Sequence, residues 1–204
     1  TATQTADTKS TTYYGYVKDK AGNINKCSAV VKKDTTKPSC SVSTSGTKGS
    51  NSWYISNVTI SLGKSDSTSG TANYGLTTSS TATYNSTSKL TRSSDTKGLT
   101  YYGYVKDTAG NTSKCSTTIK RDATKPSCSL KISGTIGNNS WYTSNVTISF
   151  NSKSDSTSGI STYGIVQSSS TSYNKKTSVT HNNDGASIKY YGFVKDAAGN
   201  TNSC

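Results

Sequence analysis

Apolar and polar residues alternate over much of the chain, the two-residue period of a strand with one buried face. Val58, Ile60 and Leu62 share a face, with Thr59 and Ser61 opposite, and Val146, Ile148 and Phe150 repeat the pattern. The same reading places further strands at 39–44, 72–77, 81–84, 88–92, 99–107 and 112–120, separated by Gly, Ser, Asn and Asp clusters. Such short strands in close succession predict an all-β fold, an antiparallel sandwich. The turn Asp107-Thr108-Ala109-Gly110-Asn111 joins two of them. Gly110 takes a positive φ without a Cβ penalty, and Asp107 can accept from the amides that follow. Asp19 to Asn23 and Asp196 to Asn200, with Gly199, are copies of this turn.

Self-comparison extends the pattern from turns to whole units. Tyr13 to Leu62 aligns without gaps to Tyr101 to Phe150, with 35 of 50 positions identical at an offset of 88. Tyr101 to Tyr190 and Cys115 to Cys204 give 89. A period of that size is too long for helical or leucine-rich solenoid repeats and suits small domains in series. Asp34-Thr-Thr-Lys-Pro38 and Asp122-Ala-Thr-Lys-Pro126 are the natural joints, each Pro holding its predecessor extended.

Composition narrows the class. Leu, Ile, Val and Phe number 27 in 204 residues, so the aliphatic core is thin, although 14 Tyr and 2 Trp add apolar area. Ser and Thr make up 74 residues, Glu and Met are absent, and no apolar run approaches the roughly 18 to 20 residues of a membrane span. A helical bundle, a coiled coil and membrane insertion are excluded on these grounds.

The joint Asp34, Thr36, Pro38, followed by Tyr101, Val105, Asp107, Ala109, Gly110 and Asn111, resembles the bacterial immunoglobulin-like domains repeated in large surface proteins and adhesins. Asp122, Thr124, Pro126, Tyr190, Val194, Asp196, Ala198, Gly199 and Asn200 match in the second unit. The resemblance implies tandem immunoglobulin-like sandwiches: the end of one domain at 1–33, a complete domain at 34–121, and one lacking the end of its last strand at 122–204. The chain opens and closes inside repeated motifs, and is read as a piece of a longer protein.

Five cysteines in a thin-cored chain predict disulfides, and therefore an extracellular protein, at the cell surface or secreted. Two pairings compete: a local one, Cys27 with Cys40 and Cys115 with Cys128, and a domain one, Cys40 with Cys115 and Cys128 with Cys204. The local scheme folds the last strand back on itself across a span of about 43 Å when extended. In the sandwich that the resemblance implies, the first strand begins where the last leaves its turn, which favours the domain scheme. Cys27 is then left unpaired.

No catalytic constellation is evident. His181 stands alone in an Asn-rich stretch read as a surface loop, Glu is missing, and the ten Asp are scattered through turns. No CxxC pair or second His offers a zinc site. Immunoglobulin-like repeats often hold calcium at their joints, and Asp34, Asp107 and Asp122 would be the ligands. Lys33, Lys37, Lys106 and Lys125 beside them argue against it, so these Asp are read as turn and cap residues, with no metal or cofactor expected. An isopeptide bond at Lys106 is disfavoured because neighbours on a strand point to opposite faces. The net charge of +13 could attract glycans or other polyanions weakly, but the lysines are spread out and only two residues are Arg, so no specific nucleic-acid binding is expected. The expectation is a non-enzymatic, monomeric rod: a stalk presenting a distal module. The alternatives are multivalent glycan- or polyanion-binding repeats and a non-catalytic region of a secreted enzyme.

Overall fold

The computed structural model describes residues 1–204 and is all-β, with fourteen strands and a single 3₁₀ turn at Asn138–Ser140. The strands are β1 (Thr8–Lys18), β2 (Ile24–Lys33), β3 (Ser39–Ser45), β4 (Val58–Ser65), β5 (Thr71–Thr77), β6 (Lys89–Arg92) and β7 (Thr96–Asp107). There follow β8 (Thr112–Arg121), β9 (Ser127–Ser133), β10 (Val146–Ser154), β11 (Ile160–Val166), β12 (Ser178–His181), β13 (Tyr191–Asp196) and β14 (Thr201–Ser203). β1 and β2 form a hairpin, and the rest form four three-stranded sheets ordered β3-β4-β6, β5-β7-β8, β9-β10-β12 and β11-β13-β14. No helix is long and apolar enough to cross a membrane.

Equivalent strands keep equivalent registers. Tyr74 faces Val105 across β5 and β7, Tyr163 faces Val194 across β11 and β13, and a bulge follows the first pair of each ladder. The alternation buries Val58, Ile60 and Leu62 on β4, with Leu76, Tyr104 and Val105 on β5 and β7. Ile148, Ile165, Phe193 and Val194 occupy the corresponding places later in the chain. Each buried aliphatic side chain contributes about 1.5–3 kcal/mol.

Cys40 on β3 is bonded to Cys115 on β8, with Cα atoms 5.6 Å apart, which ties the β3-β4-β6 sheet to the β5-β7-β8 sheet. Cys128 is bonded to Cys204 in the same manner at 5.8 Å, while Cys27 is free and exposed. The local pairing of Cys115 with Cys128 is not formed.

Two sequence expectations are corrected. Residues 81–84 carry no strand. That segment passes over Gly75 on β5, where a Cβ would meet the Thr83 carbonyl at 2.1 Å, and is held by side chains: Asn85 Nδ2 donates to the Leu76 carbonyl at 3.3 Å, and the Tyr104 hydroxyl donates to Ser80. His181 is not in a loop but ends β12, half-buried, with Nδ1 3.1 Å from the Tyr190 hydroxyl.

The chain divides into two compact units. One comprises Thr1–Thr44, Thr59–Thr91 and Thr100–Thr118; the other comprises Ser45–Val58, Arg92–Leu99 and Ile119–Cys204.

Candidate functional site

Every one of the ten Asp residues falls at one of four recurring positions: 7, 95 and 184; 19, 107 and 196; 34 and 122; 66 and 155. They are thus not scattered through the turns. The structure gathers Asp34, Asp66 and Asp107 into one triad and Asp122, Asp155 and Asp196 into another, each offering carboxylate oxygens within 4.8 Å of one another.

Three pieces of chain build each triad. The joint supplies Asp34, whose Oδ1 accepts from the Thr36 amide and whose Oδ2 accepts from the Ser69 amide, both at 3.1 Å. The loop after β4 supplies Asp66, whose Oδ1 accepts from the amides of Thr68, Ser69 and Gly70. The β7–β8 turn supplies Asp107, whose Oδ1 accepts from Gly110 and Asn111 at 2.7 and 2.8 Å and whose Oδ2 accepts from Asn111 Nδ2. Gly110 holds φ at 105°, a conformation that a side chain would resist. Asn111 then closes the ring, donating through Nδ2 to the carbonyls of Asp34 and Thr36. Asp122, Asp155, Asp196 and Asn200 reproduce this network: Asn200 Nδ2 donates to the Asp122 carbonyl at 3.0 Å and to the Thr124 carbonyl at 3.2 Å.

A second arrangement surrounds the remaining Asp position. Asp95 is ion-paired with the Arg121 guanidinium and accepts from the Ala123 amide and the Thr124 hydroxyl. Arg121 is nearly buried and also donates to the Ser56 carbonyl and to Asn57 Oδ1. Tyr54 completes the clamp, its amide donating to the Lys120 carbonyl while its own carbonyl accepts from the Asp122 amide. Asp7 plays the same part for the hairpin, with Lys33 at 3.5 Å and donors from Thr35 and Thr36.

The electrostatics differ by position. For Asp95, burial raises the pKa, but hydrogen bonds from Thr124 and Ala123 and the Arg121 charge outweigh it, so the carboxyl lies below its ordinary value. Asp107 is likewise lowered, burial being outweighed by Asn111 and the turn amides. Asp7, bonded chiefly by the Thr36 hydroxyl, falls to about 2. Asp122 goes the other way: burial, with Asp155 close by, lifts its carboxyl above the usual value.

Each triad is an all-oxygen donor set of the kind hard divalent cations accept, and these are the residues that could hold one. No Lys or Arg nitrogen pairs with either triad within 4.0 Å, so Lys33, Lys37, Lys106 and Lys125 do not supply the counter-charge that their positions in sequence suggest. Hydrogen bonds from neutral backbone amides stabilise the carboxylates instead. Sequence reasoning named Asp34, Asp107 and Asp122 but missed Asp66 and Asp155; the signal was available in their recurrence at an interval of 89.

The lysines have another occupation. Lys26 lies over the Tyr14 ring at 3.8 Å and Lys114 over Tyr102 at 4.6 Å; Lys64 covers Tyr74 at 3.9 Å and Lys153 covers Tyr163 at 4.3 Å. These are equivalent pairs, two per repeat position, and they occupy ring faces that a sugar would stack on.

No family model and no curated protein matches the chain. Among solved structures, it is similar to a tetra-tandem repeat in the extending region of a large adhesion protein, at 17% identity and a TM-score of 0.27. The match covers 96% of this chain and 55% of that one, so the chain spans about half that structure's length. A TM-score this low establishes no common fold, and nothing of that protein's role transfers with it.

Proposed function

We propose that the chain is a run of structural spacer repeats of an extracellular surface protein or adhesin, each repeat an immunoglobulin-like sandwich of about 88 residues, with units at 34–121 and 122–204. The array holds a distal functional module away from its anchor and does no chemistry itself. One observation carries this reading: the recurring polar machinery is directed at the chain's own backbone. Asp34, Asp66, Asp107 and Asn111, and their counterparts Asp122, Asp155, Asp196 and Asn200, lock each joint to the turn that ends the same repeat. Two disulfide crosslinks, of a kind that persists in oxidising compartments, support an extracellular setting.

Retention on immobilised wall polymer, mucin and DNA tests the reading. Binding to polyanions through the net charge of +13 falls steeply with salt, because counterions are released. The spacer reading predicts only faint retention that vanishes near 0.15 M salt, about the physiological range. Micromolar binding that survives that salt and is lost in a single repeat would make a multivalent binding array the better reading.

A further inference from the structure

The segment that crosses β5 walls a pocket in the first full repeat. Residues 81–84 pass over Gly75 without joining a ladder, and beside them lies a cavity of about 480 Å³, within the ordinary range of small-molecule sites. Its walls include Lys37 from the joint, Ala82 and Tyr84 from the segment, Tyr104 from β7, and Ser113 and Lys114 from β8. Hydrogen bonds fix this frame. The Tyr104 hydroxyl and Lys114 Nζ both donate to the Ser80 carbonyl, Lys114 at 3.1 Å, and the Ser113 hydroxyl donates to the Pro38 carbonyl at 2.6 Å.

Two features of the pocket point to a ligand. No carboxylate pairs with Lys37 or Lys114, so two ammonium groups line it without counter-charge. Tyr84 is 38% exposed and, unlike Tyr14, Tyr74, Tyr102 and Tyr163, has no lysine over its ring. An anion that also carries an apolar ring face meets both. The same face is open in the second repeat, which has a whole repeat ahead of it in the chain: Lys125, Thr171 and Ser203 are exposed there. The chemistry differs, however. Ser203 stands in place of Lys114 and Phe193 in place of Tyr104, which leaves Lys125 as the one cation at these positions. The cationic pocket therefore belongs to one repeat and not to the period.

We propose that this pocket binds a sugar carrying a carboxylate, a hexuronate or a sialic acid. The carboxylate lies between the Lys37 and Lys114 ammonium groups in charge-assisted hydrogen bonds. The pyranose sets its C–H face on the Tyr84 ring and the Ala82 methyl, and a sugar hydroxyl donates to the Ser113 oxygen, which can still accept while it donates to Pro38. Phosphate is the poorer fit, since no Arg fork lines the pocket. The inference goes beyond the spacer reading and is tested apart from it: a single site of about millimolar strength leaves retention on mucin faint.

The test is saturation-transfer NMR of the full chain in about 0.15 M salt, where surface attraction is screened. Sodium glucuronate and N-acetylneuraminate are the probes, with glucose as the uncharged control and acetate as the control without a ring. The expected result is transfer to the ring protons of at least one acid, with a dissociation constant of about 1 mM, and none to glucose or acetate. The acid that binds more tightly names the source of the ligand. Lys114→Ser and Tyr84→Ala are each expected to weaken binding about tenfold. Both side chains are exposed, and serine already stands at the equivalent of 114 in the second repeat, so these variants keep the fold. Lys97→Ser removes the same charge from an exposed position outside the pocket and is expected to leave binding unchanged. No transfer to either acid, equal binding of acetate or glucose, or a loss in Lys97→Ser as large as that in Lys114→Ser overturns the proposal.

Discussion

Gly103 stands in the middle of β7 for a reason of space. A Cβ there would lie 2.5 Å from Leu62 Cδ1 and 2.8 Å from the Cys115 sulfur. Gly192 meets the Cys204 sulfur at 2.9 Å, and Gly15 meets that of Cys27 at 2.8 Å. The Tyr-Tyr-Gly segment was readable as a strand, but which neighbour demanded the glycine was not, because that neighbour comes from another part of the sequence. Gly103→Ala is expected to lower stability by about 1–3 kcal/mol, the usual cost of overpacking, as read by denaturant unfolding. A variant as stable as the parent would mean that Leu62 and the crosslink move aside freely. Asp95 gives a second prediction. Asp95→Asn leaves the nearly buried Arg121 without its counter-ion and is expected to cost about 2–3 kcal/mol at pH 7. The folded-state pKa of Asp95 is lowered, so its contribution is complete above the unfolded value of about 3.9 and is lost as pH falls through the folded value. Unfolding curves from pH 6 to 2 should therefore show a steeper acid loss in the parent than in Asp95→Asn, and parallel losses would contradict this. Asp122, with its raised value, works in the opposite sense: its contribution is present at low pH and declines as pH rises through the folded value.

At the scale of elements, the strands followed from two-residue periodicity, and the β7–β8 turn followed from Asp, Gly and Asn at fixed offsets. The segment 81–84 deceived because Asn85 and Tyr104, not a backbone ladder, hold it in place. His181 deceived because a polar neighbourhood in sequence masked the end of β12. The triads were half visible: the joint and turn acids announced themselves, whereas Asp66 and Asp155 sit in loops whose closeness to the joint only the fold creates. Eight donor contacts from amides and Asn111 reach Asp34, Asp66 and Asp107, and the crosslinks are expected to contribute more to stability than a bound cation. On the loop-entropy model, each crosslink closes about 75 residues and adds roughly 4–5 kcal/mol. Thermal melts should therefore shift far more with reductant than with chelator. A large chelator shift that Asp66→Asn abolishes would instead assign a structural cation to the triad.

At the scale of the whole molecule, the repeat was the most readable feature of all, since 35 identities in 50 positions need no structure to be seen. What the sequence could not convey is that the segments Ser45–Val58 and Arg92–Leu99 belong to the same compact unit as residues 119–204. There, the Ser50 amide donates to the Ala198 carbonyl at 2.7 Å, and Asn51 Nδ2 donates to the Ala197 carbonyl at 2.9 Å. These are long-range contacts between residues with no local signature. The proposed role depends on the repeats acting in series, each joint being short, carrying a Pro and locked by an Asn side chain. Small-angle X-ray scattering of the full chain under oxidising conditions tests this most directly. The spacer account predicts an elongated monomer whose maximum dimension is more than about twice that of one domain of this size, since the β1–β2 hairpin adds to the two units; a compact particle, or one whose apparent mass rises with concentration, would contradict it.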